Sequence, residues 1–406
     1  MLGRAGAEAW RVGFNLGDQV LWGDRRRYIP FTGTVQDWPA TCAEIMDARA
    51  ITDLVLYGDT RPVHAAAIAI ARARGLRVHV FEEGYLRPYW VTYERDGANG
   101  HSRLMELSVD EMRAALYAPG GPAIAAPAHW GDMRAHMFYG ALYHGLVMLP
   151  TRRYRRFRPH RGVSIGREFR LHLRRLLLMP AHAVGRLAAT ARITRSGFPY
   201  HLVLLQLEHD ASFRCHSPFS SMADFLALCM EGFAAGAPPH HHLVLKAHPL
   251  EDGRSPVRAE VARLARAHGL ADRVHFVRGG KLATLLDQAT SAVTVNSTAG
   301  QQVLWRGLPL RAFGRAVYSK PEFVSDQPLD AFFAAPRRPD RAAYADFRRF
   351  LLESSQIPGG FYSTDGRRQA MRRVVDLMLA EAGPYAALDA PGAAHRQQLY
   401  AVECGA

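Results

Sequence analysis

Short β-rich runs alternate with Ala/Leu/Arg-rich helical segments along this chain, and that alternation constrains the fold more than any other feature. The runs are Arg11–Asn15, Asp53–Tyr57, Arg77–Phe81, Leu202–Gln206, Leu243–Lys246, Val274–Val277 and Ala292–Val295. Helical segments such as His64–Arg74 and Val257–His268 lie between several of them, and Gly75 and Gly269 supply helix stops. Strand–helix–strand order with continuous apolar strands predicts parallel sheets covered on both faces. A strand-poor stretch, residues 103–195, separates two such clusters. We expect two α/β domains, 1–195 and 196–335, followed by a helical tail, 336–406. A length of 406 residues accommodates two cores, and 48% apolar residues exclude a disordered or fibrous chain.

In open α/β sheets, ligands sit at the carboxyl ends of the strands, so the residues ending each strand are the first candidates. No Gly-x-Gly-x-x-Gly follows the first strand and no P-loop string occurs, which removes the main support for dinucleotide or P-loop chemistry. Run 202–206 leads into Gln206-Leu207-Glu208-His209-Asp210, and run 243–246 into Lys246-Ala247-His248-Pro249. Run 292–295 ends in Asn296-Ser297-Thr298-Ala299-Gly300, a hydroxyl-rich turn opening an expected helix over 301–306. Such a turn suits a phosphate, or is a plain helix cap. Lys246 and His248, two residues apart, share a face and can neutralise one phosphate together. Asp210 is either a turn residue or a catalytic carboxylate, and the second role needs a partner acid. Glu82-Glu83 after run 77–81 offers one, followed by an aromatic-rich loop from Tyr85 to Glu94 that either stacks a sugar, seals a cleft or simply packs as an ordered loop. The run His240-His241-His242 cannot converge on one ion, because neighbours on a strand point to opposite faces. We expect no metal.

The net charge of +14 is local. Residues 151–195 hold thirteen arginines and one acid, Glu168, so this segment is +12 and the remainder only +2. Phe169, Leu173, Leu176 and Leu177 recur at helical spacing with Arg167, Arg170 and Arg174 off the stripe, and Pro180 is expected to break or kink that helix. The segment reads either as a basic amphipathic element on an anionic membrane surface or as an inter-domain helix whose stripe is core. No nucleic-acid-binding motif accompanies it, so no nucleic acid partner is expected. Four scattered cysteines (Cys42, Cys215, Cys229, Cys404) read as free thiols in a reducing compartment, and no signal peptide or membrane span is expected.

Several strings occur together in order. They are Phe14-Asn15-Leu16-Gly17-Asp18 with Tyr28, Gly33 and Trp38-Pro39, then Tyr57-Gly58-Asp59-Thr60-Arg61-Pro62-Val63-His64. Glu83-Gly84-Tyr85-Leu86-Arg87-Pro88-Tyr89-Trp90-Val91-Thr92 follows, continued by Glu94, Gly97, Asn99-Gly100 and Ser102. Gln206-Leu207-x-x-Asp210, Lys246-x-His248-Pro249 and Asn296-Ser297-Thr298-x-Gly300 complete the series. Together, over about residues 10–325, they resemble the capsular polysaccharide synthesis/export family of KpsS/LipB type. Leu16 and Arg158-Pro159-His160-Arg161 depart from that pattern.

The resemblance implies an α/β fold of two Rossmann-like domains facing across a cleft, the GT-B arrangement. It implies a retaining β-Kdo glycosyltransferase that uses CMP-β-Kdo as donor and a (lyso)phosphatidylglycerol-type lipid as acceptor, with no cofactor. Carried over, Asp210 is the nucleophile and Glu83 the acid/base. His248, Ser297 and Thr298 hold the CMP phosphate, and Lys246 supplies charge. Asn296, Gly300, Gly17, Asp18, Asp59, Arg61 and Arg87 join the substrate-binding set. Glu83 and Asp210 then meet only across a closed cleft. The implied location is the inner face of a bacterial inner membrane, with capsule export machinery as a further partner. The competing class is a non-catalytic export component that binds glycolipid and transporter.

Overall fold

The computed structural model describes residues 2–87, 90–116, 133–149, 151–156, 165–251 and 253–388. Pro88, Tyr89, the segment 158–161 and Cys404 lie outside the described residues, as do the side chains of Phe169, Arg175 and Leu176. Eleven strands are present among them: β1 (Arg11–Gly13), β2 (Tyr28–Pro30), β3 (Asp53–Tyr57), β4 (Arg77–Glu83), β5 (Trp90–Arg95), β6 (Tyr200–Leu204), β7 (His242–Ala247), β8 (Val274–Arg278), β9 (Ala289–Thr294), β10 (Leu310–Ala312) and β11 (Gln356–Pro358).

The second lobe is the simpler. Its sheet runs β10-β9-β6-β7-β8 with every pair parallel. Strands β6, β7 and β9 are buried almost throughout, because helices cover both faces. Helix Met222–Gly236 lies on one face, where Phe225, Cys229 and Phe233 pack against Val203, Leu243 and Val293. Its start is fixed by a capping box in which Ser221 and Asp224 bond each other's backbone N–H. Helix Val257–Ala267 ends, as expected, just before Gly269, which takes the left-handed conformation at φ 68°.

The first lobe is mixed. Its sheet runs β11-β5-β4-β3, with β3 and β4 parallel and both β5 and β11 antiparallel to their neighbours. The expected aromatic loop after Glu83 is therefore in part a strand: Trp90–Arg95 is β5, with Trp90 to Glu94 buried. The residues after 335 carry helices Arg341–Glu353 and Thr364–Leu379, and between them β11, which closes the first sheet. Strands β1 and β2 form a separate parallel pair. Run 11–15 shortens to β1 because the Asn15 side chain caps helix Leu16–Leu21 by accepting the Asp18 N–H at 2.9 Å.

The lobes share a core. Leu86, Trp90, Leu104 and Met112 of the first lobe join Leu202, Val244 and Leu310 of the second, together with Tyr344, Phe347 and Phe350 of helix Arg341–Glu353. Buried Lys320 donates to the carbonyls of Leu104 at 2.6 Å and Leu107 at 2.5 Å, and Arg113 pairs with Asp346 at 2.6 Å. Helix Ile165–Arg195 continues through Pro180 instead of stopping there. Ile193 near its end is buried, while Leu173, Leu177, Met179, Val184 and Leu187 are exposed.

Candidate active site between the lobes

A cavity of about 440 Å³ opens where the carboxyl ends of β6, β7 and β9 face the first lobe. The second lobe contributes Leu204, Leu205, Lys246, His248, Ser297 and Thr298, and the first lobe Tyr85, Arg87 and Trp90. Trp305 and Arg348 also line it, with the Arg348 guanidinium 4.1 Å from the Trp305 ring centroid. Sequence reasoning missed both, because Arg348 comes from a helix expected to be a separate tail.

Lys246 and His248 line this cavity together. Lys246 is buried, and loss of hydration, reinforced by the charge of Arg186, pulls its pKa below that of an ordinary lysine. An ammonium in that setting favours an anion that restores its lost solvation. The Nδ1 of His248 accepts the Leu250 N–H at 3.1 Å, so the neutral ring carries its proton on Nε2. Thr298 also lines the cavity. Ser297, also in the lining, caps its own turn: its Oγ accepts the Ala299 N–H at 3.2 Å and its carbonyl accepts from Tyr318 at 2.5 Å. The helix that follows, Gly300–Trp305, has six residues, so its dipole contributes little. Gly300 is needed for packing, since a Cβ there would lie 2.6 Å from the Tyr318 hydroxyl.

Asn296 is engaged within the protein. It exchanges hydrogen bonds with Gln206 (2.7 Å and 3.0 Å) and donates to the Ser212 carbonyl at 2.9 Å. These bonds tie the ends of β6 and β9 to helix Ala211–His216, at whose start Asp210 stands exposed as N-cap without a side-chain capping bond.

The two adjacent glutamates of the first lobe point to opposite sides, as successive strand residues do. Glu83 accepts hydrogen bonds from the hydroxyls of Tyr57, at 3.1 Å, and Tyr362. Glu82 lies over Gly58, where a Cβ would come within 3.1 Å of its Oε1. Its pKa is pushed up to about 7, first by burial, then by the charges of Asp59 and, across the cleft, Asp210, with Arg87 opposing. Sequence pointed to Glu83; only the strand register separates the two.

Asp59 is buried, and its Oδ2 accepts the Ala98 N–H at 2.9 Å and faces His101 Nδ1 at 3.1 Å. His216, from the helix that Asp210 opens, stands edge-on to His101 with ring centroids 4.6 Å apart. Burial, with the nearby His101 adding to it, lowers the His216 pKa to about 4. Neither histidine was a sequence candidate. Gly17 and Asp18 sit elsewhere, in the first turn of helix Leu16–Leu21. Asp18 accepts from Arg11, Phe14 N–H and Asn15, each at 3.0 Å, and a Cβ on Gly17 would lie 2.7 Å from the Tyr143 ring. Arg61 is exposed at the start of helix Pro62–Ala73.

The three-histidine run does not converge. His241 bonds His201 at 2.9 Å, and His242 bonds His275 at 2.9 Å, at the amino edge of the second sheet, away from the cavity. Among the described residues, no helix is long and apolar enough to cross a membrane.

One family, described as capsule polysaccharide biosynthesis protein, matches residues 52–362. The chain is 28% identical over 358 residues to the capsule polysaccharide export protein KpsS of Escherichia coli, with 88% of this chain and 91% of that protein covered. It is also 28% identical over 372 residues to the capsule polysaccharide modification protein LipB of Neisseria meningitidis serogroup A, covering 88% and 86%. Among solved structures it is similar to Thermosulfurimonas dismutans KpsC, beta Kdo 2,7 transferase, at a TM-score of 0.41 and 15% identity, covering 87% of this chain and 92% of that one.

Proposed function

The chain belongs to the capsule polysaccharide biosynthesis family, and from that premise we propose that it is a glycosyltransferase that moves Kdo from CMP-Kdo to a phosphatidylglycerol-type lipid with retention. The observation that carries this reading is the interlobe cavity, which presents Lys246, His248 and Thr298 on one wall and Arg87 on the other. A nucleoside monophosphate leaving group needs such cationic and hydrogen-bonding groups where its charge develops.

In this reading Asp210 attacks the anomeric carbon, the CMP phosphate departs toward Lys246 and His248, and the sugar is held on Asp210. A lipid hydroxyl then displaces it. The second inversion restores the original configuration. We assign the proton-handling role to Glu82 and not to Glu83. A half-protonated carboxyl near neutral pH, within the field of the Asp210 charge, suits that task better than one already bonded to two tyrosines. Asp59 and Arg87 set the charge around Glu82, while Asn296 and Gln206 hold the turns that carry Thr298 and Asp210.

The lipid acceptor fits the surface of helices Met133–Met148 and Ile165–Arg195. Phe138, Tyr139 and Leu142 are exposed on the first, and Leu177 and Met179 on the second, where Arg167, Arg170 and Arg174 are exposed too. Apolar residues flanked by arginines suit the inner, anionic leaflet of a bacterial membrane.

The test is a transfer assay with CMP-Kdo generated in situ and a fluorescent phosphatidylglycerol. Product with the wild type and none with Asp210→Ala supports the mechanism. Full activity of Asp210→Ala overturns the nucleophile. No product from the wild type returns the chain to the export-component reading that the name of the E. coli relative suggests.

A further inference from the structure

We propose that Asp59, His101 and His216 form a binding site for a divalent transition-metal ion that bridges the two lobes. One ligand atom from each lies within 4.8 Å of the other two. The separation of 3.1 Å between Asp59 Oδ2 and His101 Nδ1 is that of two donors sharing a coordination sphere as well as that of a hydrogen bond. Asp59 and His101 belong to the first lobe and His216 to the second, so an ion here fastens one lobe to the other.

Two further observations point to a ligand. Asp59 and His216 are 3% and 4% exposed. Even so, Asp59 Oδ1 and His216 Nε2 have no hydrogen-bond partner among the described residues. Buried polar atoms left unsatisfied are rare in native proteins, and two on adjacent side chains ask for a shared partner.

The second observation is the backbone that delivers His101. Asp96 and Asn99 adopt left-handed conformations, at φ 67° and 54°, which side chains seldom take. A Cβ on Gly100 would lie 2.4 Å from His216 Nδ1, so the glycine lets the loop close onto the imidazole. The Ala98 N–H bond to Asp59 Oδ2 pins the loop to the carboxylate. The strings Gly58-Asp59 and Gly97-x-Asn99-Gly100-His101 thus converge on one point.

Two imidazoles and a carboxylate make a mixed nitrogen–oxygen donor set. That set favours Zn²⁺, Co²⁺ or Mn²⁺ over Mg²⁺ and Ca²⁺, which prefer oxygen. The histidine run at 240–242 is a separate matter, since His241 and His242 are bonded to His201 and His275.

The experiment uses the full chain without a histidine tag, stripped with EDTA and dialysed. Co²⁺ uptake is followed by visible absorption and Zn²⁺ uptake by calorimetry, with thermal melting in parallel. We expect saturation at a single ion per chain and a higher melting temperature with Zn²⁺. We expect affinity to fall about tenfold or more in both His101→Asn and His216→Asn. His101 is exposed, so its variant keeps the test valid if His216→Asn fails to fold. No stoichiometric uptake by the wild type overturns the site. So does an affinity left unchanged in His101→Asn, or uptake that is lost in His241→Asn. None of these readouts depends on the transferase reading.

Discussion

The two edges of the second sheet carry nearly the same chemistry and do opposite things. At the carboxyl edge, Lys246 is near the end of β7, and Gln206, His248 and Asn296 follow β6, β7 and β9. At the amino edge stand His201, His241, His242 and His275. Both are rich in titratable groups. The amino edge closes on itself: His201 bonds Ser291 and His241, and His242 and His275 stack on Phe198. The carboxyl edge opens into a cavity faced by the other lobe. Polar residues at strand ends therefore mark a site only where the fold leaves their functional groups something to bind. Parallel strands make the carboxyl edge that place, because the turns there are free to diverge while the helices return to the other end.

The largest expected effect lies across the open edge. Replacing Asp210 by Ala should lower transfer by about a thousandfold or more, with folding unchanged, because it removes the group that bonds the sugar. Full activity would make the carboxyl edge as inert as the amino edge. Next comes the glutamate pair. Glu82→Gln should cost about a hundredfold in kcat, a usual share for proton transfer, whereas Glu83→Gln should cost far less. The reverse order would mean that the strand register misleads. Lys246→Met should weaken CMP binding about tenfold, which is about 1.4 kcal/mol, by calorimetry. It should leave Tm unchanged or raised, since a buried ammonium is costly without its anion.

The smallest effect belongs to the closed edge. Burial is the main cause that lowers the pKa of His201 to about 3 and of His275 to about 4, against an ordinary 6.5. Between pH 6.5 and about 4 the unfolded chain binds protons that the folded chain refuses, so stability falls as pH falls. Each histidine contributes at most about 1.4 kcal/mol per pH unit. His275→Gln should flatten the slope of denaturant-measured stability against pH over that window while transfer activity stays at the wild-type level. Reading the difference between the two proteins cancels the opposing titrations of Glu82 and Glu94, both raised to about 7 mainly by burial. An unchanged slope would show that this edge is solvated.

The second lobe was largely legible in advance because its signals are local. Continuous apolar runs, Gly269 after a helix, and polar turns after strands are all read within a few residues. The first lobe was less so. Strand β5 carries Thr92, Glu94 and three aromatic or apolar residues in no alternating order, because it is central in its sheet, between β11 and β4, and buried from Trp90 to Glu94. Strand β11 has three residues, ends in Pro358, and finds its partner 264 residues away in Thr92. Glu82 and Glu83 are indistinguishable as letters. Asp59, His101 and His216 meet only after the lobes pack, and the one sequence trace of their meeting is the glycine-rich loop before His101.

The central claim is that the carboxyl edge holds a nucleoside monophosphate. A crystal structure with CMP tests it most directly. The account predicts the phosphate within hydrogen-bond distance of His248 and Thr298 and beside the Lys246 ammonium, with Asp210 facing the place where the sugar would leave. CMP bound outside this cavity, or a phosphate turned away from Lys246 and His248, would contradict it.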